Sequence, residues 1–267
     1  MKGKNITFIV GAGAVENAWN PVIRAINKTD NIETNGDGAN FLFARYIYLL
    51  KFYSTVAKAG KHPEMFEIMK SNIRVLKNNI ANELKKAQNS GEIKTRENFK
   101  EIVDKFVISK VDRSYLVTTN WDNVVDLEIN KLYRSNNPNT NFKIESFHIH
   151  GSIESPDELY LPSEITQEIY RTKEEEMKLG SNHGSLMSLL EKGNRTILYG
   201  ISLDPLDAEL NQTLGAGCSS PNIEEIIIIN PSHELVANRV KLLLDKRYPA
   251  KIIAYNPNNL RKKIEYN

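Results

Sequence analysis

The 267 residues contain a single cysteine, Cys218. An internal disulfide framework is thereby excluded, as is any zinc site built on two or more thiolates. Neither sign of charge dominates: 35 Lys and Arg stand against 33 Asp and Glu, a net charge of +2. So mild a balance excludes a general nucleic-acid surface. Long hydrophobic runs are missing too. A membrane span takes about 18–20 uninterrupted apolar residues, and the nearest stretch, 41–50, is broken by Arg45. Lys2 and Lys4 ahead of residues 6–10 imitate a secretory signal. That apolar run is short and ends in Gly11-Ala12-Gly13, so it reads as a buried strand of a soluble, cytoplasmic protein. The sequence carries no repeat and no low-complexity segment.

What is present is ordinary globular material, 40% hydrophobic and 25% charged. A chain of this length buries about 70–75% of its unfolded surface and needs no covalent or metal staple. Apolar runs predict strands at 5–10, 114–118, 142–149, 196–199, 225–229 and 251–255. Several are continuous in Ile, Val and Leu, as strands covered on both faces of a parallel sheet must be. Helical patterns at 123–133, 184–190, 205–214 and 233–247 alternate with them. The alternation predicts an α/β fold, a doubly wound parallel sheet of Rossmann type. Residues 38–110 break the rhythm. Phe41 to Val56, the stripe Met65, Met69, Ile73, Leu76, Ile80 and Leu84, and the group Phe99, Ile102, Val103, Phe106 and Val107 each make a helical apolar face. The organisation predicted is a nucleotide-binding domain of 1–37 and 111–267 with a helical subdomain, 38–110, inserted in it. Residues 136–141, Asn-rich with one Pro, read as a turn, and 168–178 as a charged, solvated helix or loop.

Five polar or glycine-rich tips follow five of these strands. Gly11-Ala12-Gly13 admits a sharp turn and the close approach of a phosphate. The third glycine of a dinucleotide fingerprint would fall on Glu16, and no second strand with an acidic tip follows, which disfavours a hydride-transferring dehydrogenase. The tripeptide serves equally as a tight strand–helix turn. Thr119-Asn120-Trp121-Asp122 places amide and carboxylate groups at a strand's carboxyl end, although Asn120 or Asp122 would also cap the following helix. In His148-Ile149-His150-Gly151, alternation puts both histidines on one face of the strand. Two histidines without thiolate or carboxylate partners are thin evidence for a metal, and none is expected. His150, beside a glycine, is placed as a base, with His148 structural. His62, His183 and His233 read as surface or capping residues. Gly200-Ile201-Ser202-Leu203-Asp204-Pro205-Leu206-Asp207 and Asn230-Pro231-Ser232 complete the set, and each could be mere turn and cap chemistry. A doubly wound sheet brings all five tips to one edge, where they would form a single nucleotide cleft.

In order and spacing these motifs resemble the sirtuin family, specifically its bacterial NAD-consuming branch. The residues carrying the resemblance are Gly11, Ala12, Gly13, Pro21 and Arg24, then Thr119-Asn120-Trp121-Asp122, His150-Gly151, Gly200-Ile201-Ser202 and Ile229-Asn230. The likeness implies NAD as substrate, with the pyrophosphate over Gly11 to Gly13 beside Arg24, and the adenosine half along Gly200, Ser202 and Asn230. It implies that Asp122 orients the nicotinamide carboxamide, that Asn120 holds a ribose hydroxyl or the attacking water, and that His150 is the base. One cysteine cannot build the four-cysteine zinc ribbon of the deacylases, and Val22-Ile23 stand where that family has Asp-Phe. The expected activity is therefore NAD hydrolysis to nicotinamide and ADP-ribose, or cyclic ADP-ribose if an adenine nitrogen attacks. A role in bacterial antiphage defence is implied, with a homo-oligomer or partner subunit contacting the helical insert. The alternatives are an NAD-dependent protein deacylase or ADP-ribosyltransferase, and a non-catalytic NAD- or ADP-ribose-binding regulatory subunit.

Overall fold

A strand apolar on both faces is stable only between two covering layers, and the computed structural model builds those layers. It describes residues 5–108, 113–136, 146–247 and 250–266. The chain runs through β1 (Asn5–Val10), β2 (Val15–Glu16), α1 (Asn20–Asp30), α2 (Gly36–Lys58), α3 (Pro63–Ser90) and β3 (Lys94–Thr95). Next come α4 (Phe99–Ile102), which passes into a π-helical turn, then β4 (Arg113–Thr118), α5 (Val124–Asn136), β5 (Phe147–His148) and α6 (Lys173–Lys192). The remainder is β6 (Arg195–Tyr199), α7 (Ala208–Cys218), β7 (Glu225–Ile229), α8 (His233–Leu243), β8 (Lys251–Asn256) and β9 (Asn259–Tyr266).

Seven strands form the main sheet in the order β5-β4-β1-β6-β7-β8-β9. All neighbours are parallel except β8 and β9. Leaving out β9, this is the strand order of a doubly wound Rossmann-like sheet. Alternation along the strands divides the apolar side chains between two cores. Phe8, Val10, Ile197, Tyr199, Ile227 and Ile229 pack with α1, α2, α3 and α5 through Ile26, Phe43, Leu50, Ile73, Leu76 and Ile129. Ile9, Val117, Leu198, Ile226, Ile228 and Ile252 meet Leu186, Leu190, Leu210, Leu214, Val236 and Val240 of α6, α7 and α8 on the other face. The helices between 36 and 108 thus share one core with the sheet. No helix among the described residues is long and apolar enough to cross a membrane.

Departures from the expected elements have local causes. Residues 173–178 of the charged run and the helical pattern at 184–190 belong to one helix, α6, started by a capping box in which Thr172 and Glu175 bond each other's backbone amides. The strand expected at 142–149 pairs only at Phe147–His148, its residues 142–145 lying outside the described ones together with 137–141 of the expected turn. β9 gave no apolar run. Of its residues Leu260 alone is buried, and Arg261, Lys262 and Lys263 stud an edge strand as charges that discourage further pairing.

The chain turns from one half of the sheet to the other between β1 and β6, and their loops interlock there. Gly11 N donates to Tyr199 O and Gly13 N to Gly200 O, each at 2.9 Å. A Cβ on Gly11 or Gly13 would lie 2.7 or 2.8 Å from Gly200 O. Gly200 itself has φ +67°, and a Cβ there would sit 2.3 Å from Ala14 N. These glycines are required because two backbones pass in contact. Gly200→Ala is expected to destabilise the protein by about 2–4 kcal/mol, through left-handed strain and collision together. Gly36→Ala, in open space in the first turn of α2, should be neutral or stabilising by up to about 1 kcal/mol. Urea denaturation midpoints compare the two, and equal midpoints would refute the interlock.

Candidate functional site

The interlocked turns floor a cleft of about 580 Å³ at the carboxyl edge of the sheet. Ten sequence-predicted residues, Gly11, Ala12, Gly13, Thr119, Asn120, Asp122, His150, Gly200, Ser202 and Asn230, line it. Loops from β1, β4, β5, β6 and β7 are therefore brought together. Pro21 and Arg24 are not. Pro21 is buried in the first turn of α1, where a missing N–H costs nothing. Arg24 points to two carboxylates, its Nη1 and Nη2 lying 2.6 and 2.9 Å from Glu92 and its Nε 3.4 Å from Glu83. The side chain expected beside a pyrophosphate is thus bound to glutamates outside the cleft. Nor does α1 spring directly from the glycine turn: a 3-10 turn, Ala12–Ala14, and β2 intervene.

Asn120 is the central polar group. It is 5% exposed, and neither its Oδ1 nor its Nδ2 has a partner. Such a buried amide is costly without a ligand or water to satisfy it. Its backbone, by contrast, is held on both sides, since Asn120 N donates to Thr118 Oγ1 at 3.1 Å and Asn120 O accepts from His148 Nδ1 at 2.9 Å. Asp122 is 3% exposed and its Oδ1 takes the amide of Val124 at 3.0 Å, capping α5. Burial pushes its pKa up, against that amide and the His148 charge. Asn230 has its side chain committed: Nδ2 donates to Ile201 O, and Oδ1 takes the amide of Ser232. It shapes the cleft wall more than it offers groups to a ligand.

His150 is 6% exposed and stacks on Tyr160, ring centroids 5.1 Å apart and planes 14° from parallel. Its Nε2 lies 3.4 Å from Asp207 Oδ1, without hydrogen-bond alignment, and neither atom has another partner. Burial raises the pKa of Asp207, opposed by His150 and His183. Tyr160 and Asp207 were not assigned a role from the sequence. Asp207 stood inside a quoted motif without a role of its own, and Tyr160 belongs to a loop without a pattern. His183 is also corrected. Its side chain is 12% exposed, bonds Thr213 Oγ1 at 2.8 Å and meets Tyr160 edge-on, so it backs the site. Burial pushes its pKa below the ordinary imidazole value despite Glu209, which keeps the ring neutral at pH 7.

The loop carrying Tyr160 is anchored by buried charge. Glu164, fully buried, takes Lys77 Nζ at 3.0 Å, Arg171 Nη2 at 2.5 Å and the amide of Leu161 at 2.8 Å. Arg171 also lies over the rings of Tyr160 and Tyr170. On the opposite wall, Trp19 and Trp121 pack edge-on against Phe43 of α2 at 6.3 and 6.4 Å. Both tryptophans line the cleft. Cys218 is buried and its thiol is pushed up to about 12 by burial, so it is no nucleophile. No group of three or more His, Cys, Asp or Glu suited to a metal occurs among the described residues.

His148 is the structural histidine of the pair. Its Nε2 meets Asp126 Oδ2 at 2.9 Å and its Nδ1 meets Asn120 O at 2.9 Å. Both partners accept, so both bonds coexist only in the imidazolium. Burial lowers the pKa of His148, but the Asp126 bond and charge outweigh it and the net shift is upward. For Asp126, burial is likewise outweighed by the His148 and Ser146 bonds, and the net shift is downward. A raised imidazole pKa stabilises fully below about 6.5, the unfolded value, and the gain is lost as pH rises through the folded one. A depressed carboxylate stabilises above about 3.9, the unfolded value, and loses the gain as pH falls through its folded one. Wild-type stability should therefore decline above neutrality, and His148→Gln should flatten that decline in urea midpoints measured against pH. An unchanged alkaline slope in the variant would contradict the clamp.

Comparisons with protein-family models, with curated proteins and with solved structures each return no match for this chain.

Proposed function

We propose that the protein is an NAD hydrolase, cleaving the bond between nicotinamide and ribose. One observation carries the reading: the buried, unpartnered amide of Asn120 and the unpartnered Nε2 of His150 line one cleft, on loops of neighbouring strands, above a glycine turn. Buried polar atoms left unsatisfied mark the place where a ligand's own polar groups belong.

The glycosidic bond of a pyridinium nucleotide is already weak, because its electron pair departs onto a nitrogen that becomes neutral. The protein must hold the ribose as positive charge develops at C1′ and must admit water to that carbon. Asn120 suits the first duty, with one donor and one acceptor for a ribose hydroxyl or the incoming water. His150 takes the proton of that water as the new C–O bond forms. Asp207, 3.4 Å away, stabilises the imidazolium that results. Asp122 accepts from the carboxamide of the nicotinamide, and stacking on Tyr160 keeps the His150 ring in one plane. Aromatic walls from Trp19 and Trp121 exclude bulk water from the reacting carbon.

Chromatography of NAD after incubation with wild type, Asn120→Ala and His150→Ala tests the reading. Wild type should yield nicotinamide with ADP-ribose. Each variant should lose about 10²–10⁴-fold in turnover, with an unfolding midpoint near that of the wild type. Intact NAD with the wild type, or full turnover in both variants, would remove the assignment. Asp207→Asn should lower kcat by about 10-fold or more with little change in KM, because the carboxylate acts on the imidazolium rather than on bound substrate.

A further inference from the structure

We propose that Arg96 anchors the diphosphate bridge of the bound dinucleotide; the inference rests on the dinucleotide reading above and deepens it. A diphosphate enters a protein cleft only against donors and positive charge that replace its hydration. Of the two sources legible in the sequence, Arg24 is spent and the glycine turn largely so. Arg24 is held by Glu92 and Glu83. In the glycine turn, the amides of Gly11, Gly13 and Ala14 donate to Tyr199 O, Gly200 O and Gly11 O.

Arg96 is the one lysine or arginine among the described residues that line the cleft. Its Nε donates to Gly13 O at 2.7 Å, which fixes the guanidinium at the lip of the glycine turn. Its two terminal nitrogens have no protein acceptor among the described residues. The backbone is held as well, for Arg96 N donates to Ala14 O at 3.0 Å and the preceding Thr95 pairs with Val15 in the β2–β3 ribbon. A planar fork with free Nη groups, already oriented by its third nitrogen, is the geometry that grips phosphate oxygens. The first turn of α1, which begins at the same lip with Trp19 and Asn20 and has no side-chain cap, adds favourable field. Elsewhere the lining carries Asp122, Asp204 and Asp207, which repel an anion, so the diphosphate is confined to the Arg96 end.

Calorimetric titration with ADP-ribose, which carries the diphosphate but no scissile bond to nicotinamide, separates this inference from catalysis. Wild type should bind it, more weakly as salt rises. Arg96→Ala should lose about 10-fold or more in affinity, Arg96→Lys should recover part of it, and Arg24→Ala should bind as the wild type does. Arg96→Gln keeps a donor for the Gly13 carbonyl but removes the charge and both Nη groups. It should retain the wild-type unfolding midpoint yet show weaker binding with a flatter salt dependence. If wild type binds ADP-ribose and the Ala and Gln variants bind equally well, the assignment of Arg96 is overturned alone. If wild type binds no ADP-ribose, the dinucleotide reading falls and this inference with it.

Discussion

The cleft depends on a ladder of backbone bonds that runs one residue past the ends of the strands. Ile149 N donates to Thr118 O, Thr119 N to Val10 O, Gly11 N to Tyr199 O, Gly200 N to Ile229 O and Asn230 N to Tyr255 O. Each loop thereby begins by pairing with a carbonyl at the end of the neighbouring strand. The positions of the loops relative to one another follow from sheet register, with an error far smaller than free loops would carry. This explains why Asn120, His150 and Gly200, separated by 80 positions in the chain, line one cleft. It also explains where glycine is needed. The ladder forces the turns after β1 and β6 into contact, and no Cβ fits between Gly13 and Gly200.

Polar groups in this edge fall into two kinds. One kind is spent on the architecture: Thr118 Oγ1 on the carbonyl of Val10, Asn230 on Ile201 and Ser232, His148 on Asn120 O and Asp126. The Lys77–Glu164–Arg171 cluster belongs with them. Removing ions from water costs several kcal/mol each, and their attraction offsets this only with good geometry and added hydrogen bonds. Glu164 has both: two cations and the amide of Leu161. The result is a rigid loop that presents Tyr160 to His150. The other kind is left open, with Asn120 unpaired at both polar atoms and His150 and Asp207 without aligned partners. All three of these open residues line the cleft.

How much of this was legible depended on whether the signal was local. The limits of β1 and β7 agree with the apolar runs at 5–10 and 225–229, because full burial on both faces writes itself as a continuous run. The five tips were legible for the same reason, each following a recognisable strand. β9 was not, since an edge strand with one buried side chain and three consecutive cations reads as a polar tail. Arg24 and Arg96 show the limit most sharply. Arg24 occupies a motif position, yet Glu83 and Glu92 reach it from segments 59 and 68 residues away. Arg96 follows a two-residue strand with no motif, and only the β2–β3 ribbon brings it to the glycine turn. Such long-range pairings leave no local trace, so composition and spacing identified the loops but not the cation.

The helices between 36 and 108 are more than padding on one face of the sheet. Phe43 of α2 stands between the two tryptophans of the cleft wall, and Leu84 of α3 and Asn40 of α2 reach the lining themselves. Gln88 of α3 takes the amide of Asn123, at the start of the helix that Asp122 caps. Lys77 of the same helix supplies the buried charge that fixes the loop of Tyr160. The segment leaving α3 then pairs with β2 and delivers Arg96. A rigid shift of α3 would therefore move the Asn120 loop, the Tyr160 loop and the guanidinium together. The sheet alone sets where the loops begin, and α3 sets where their working atoms end.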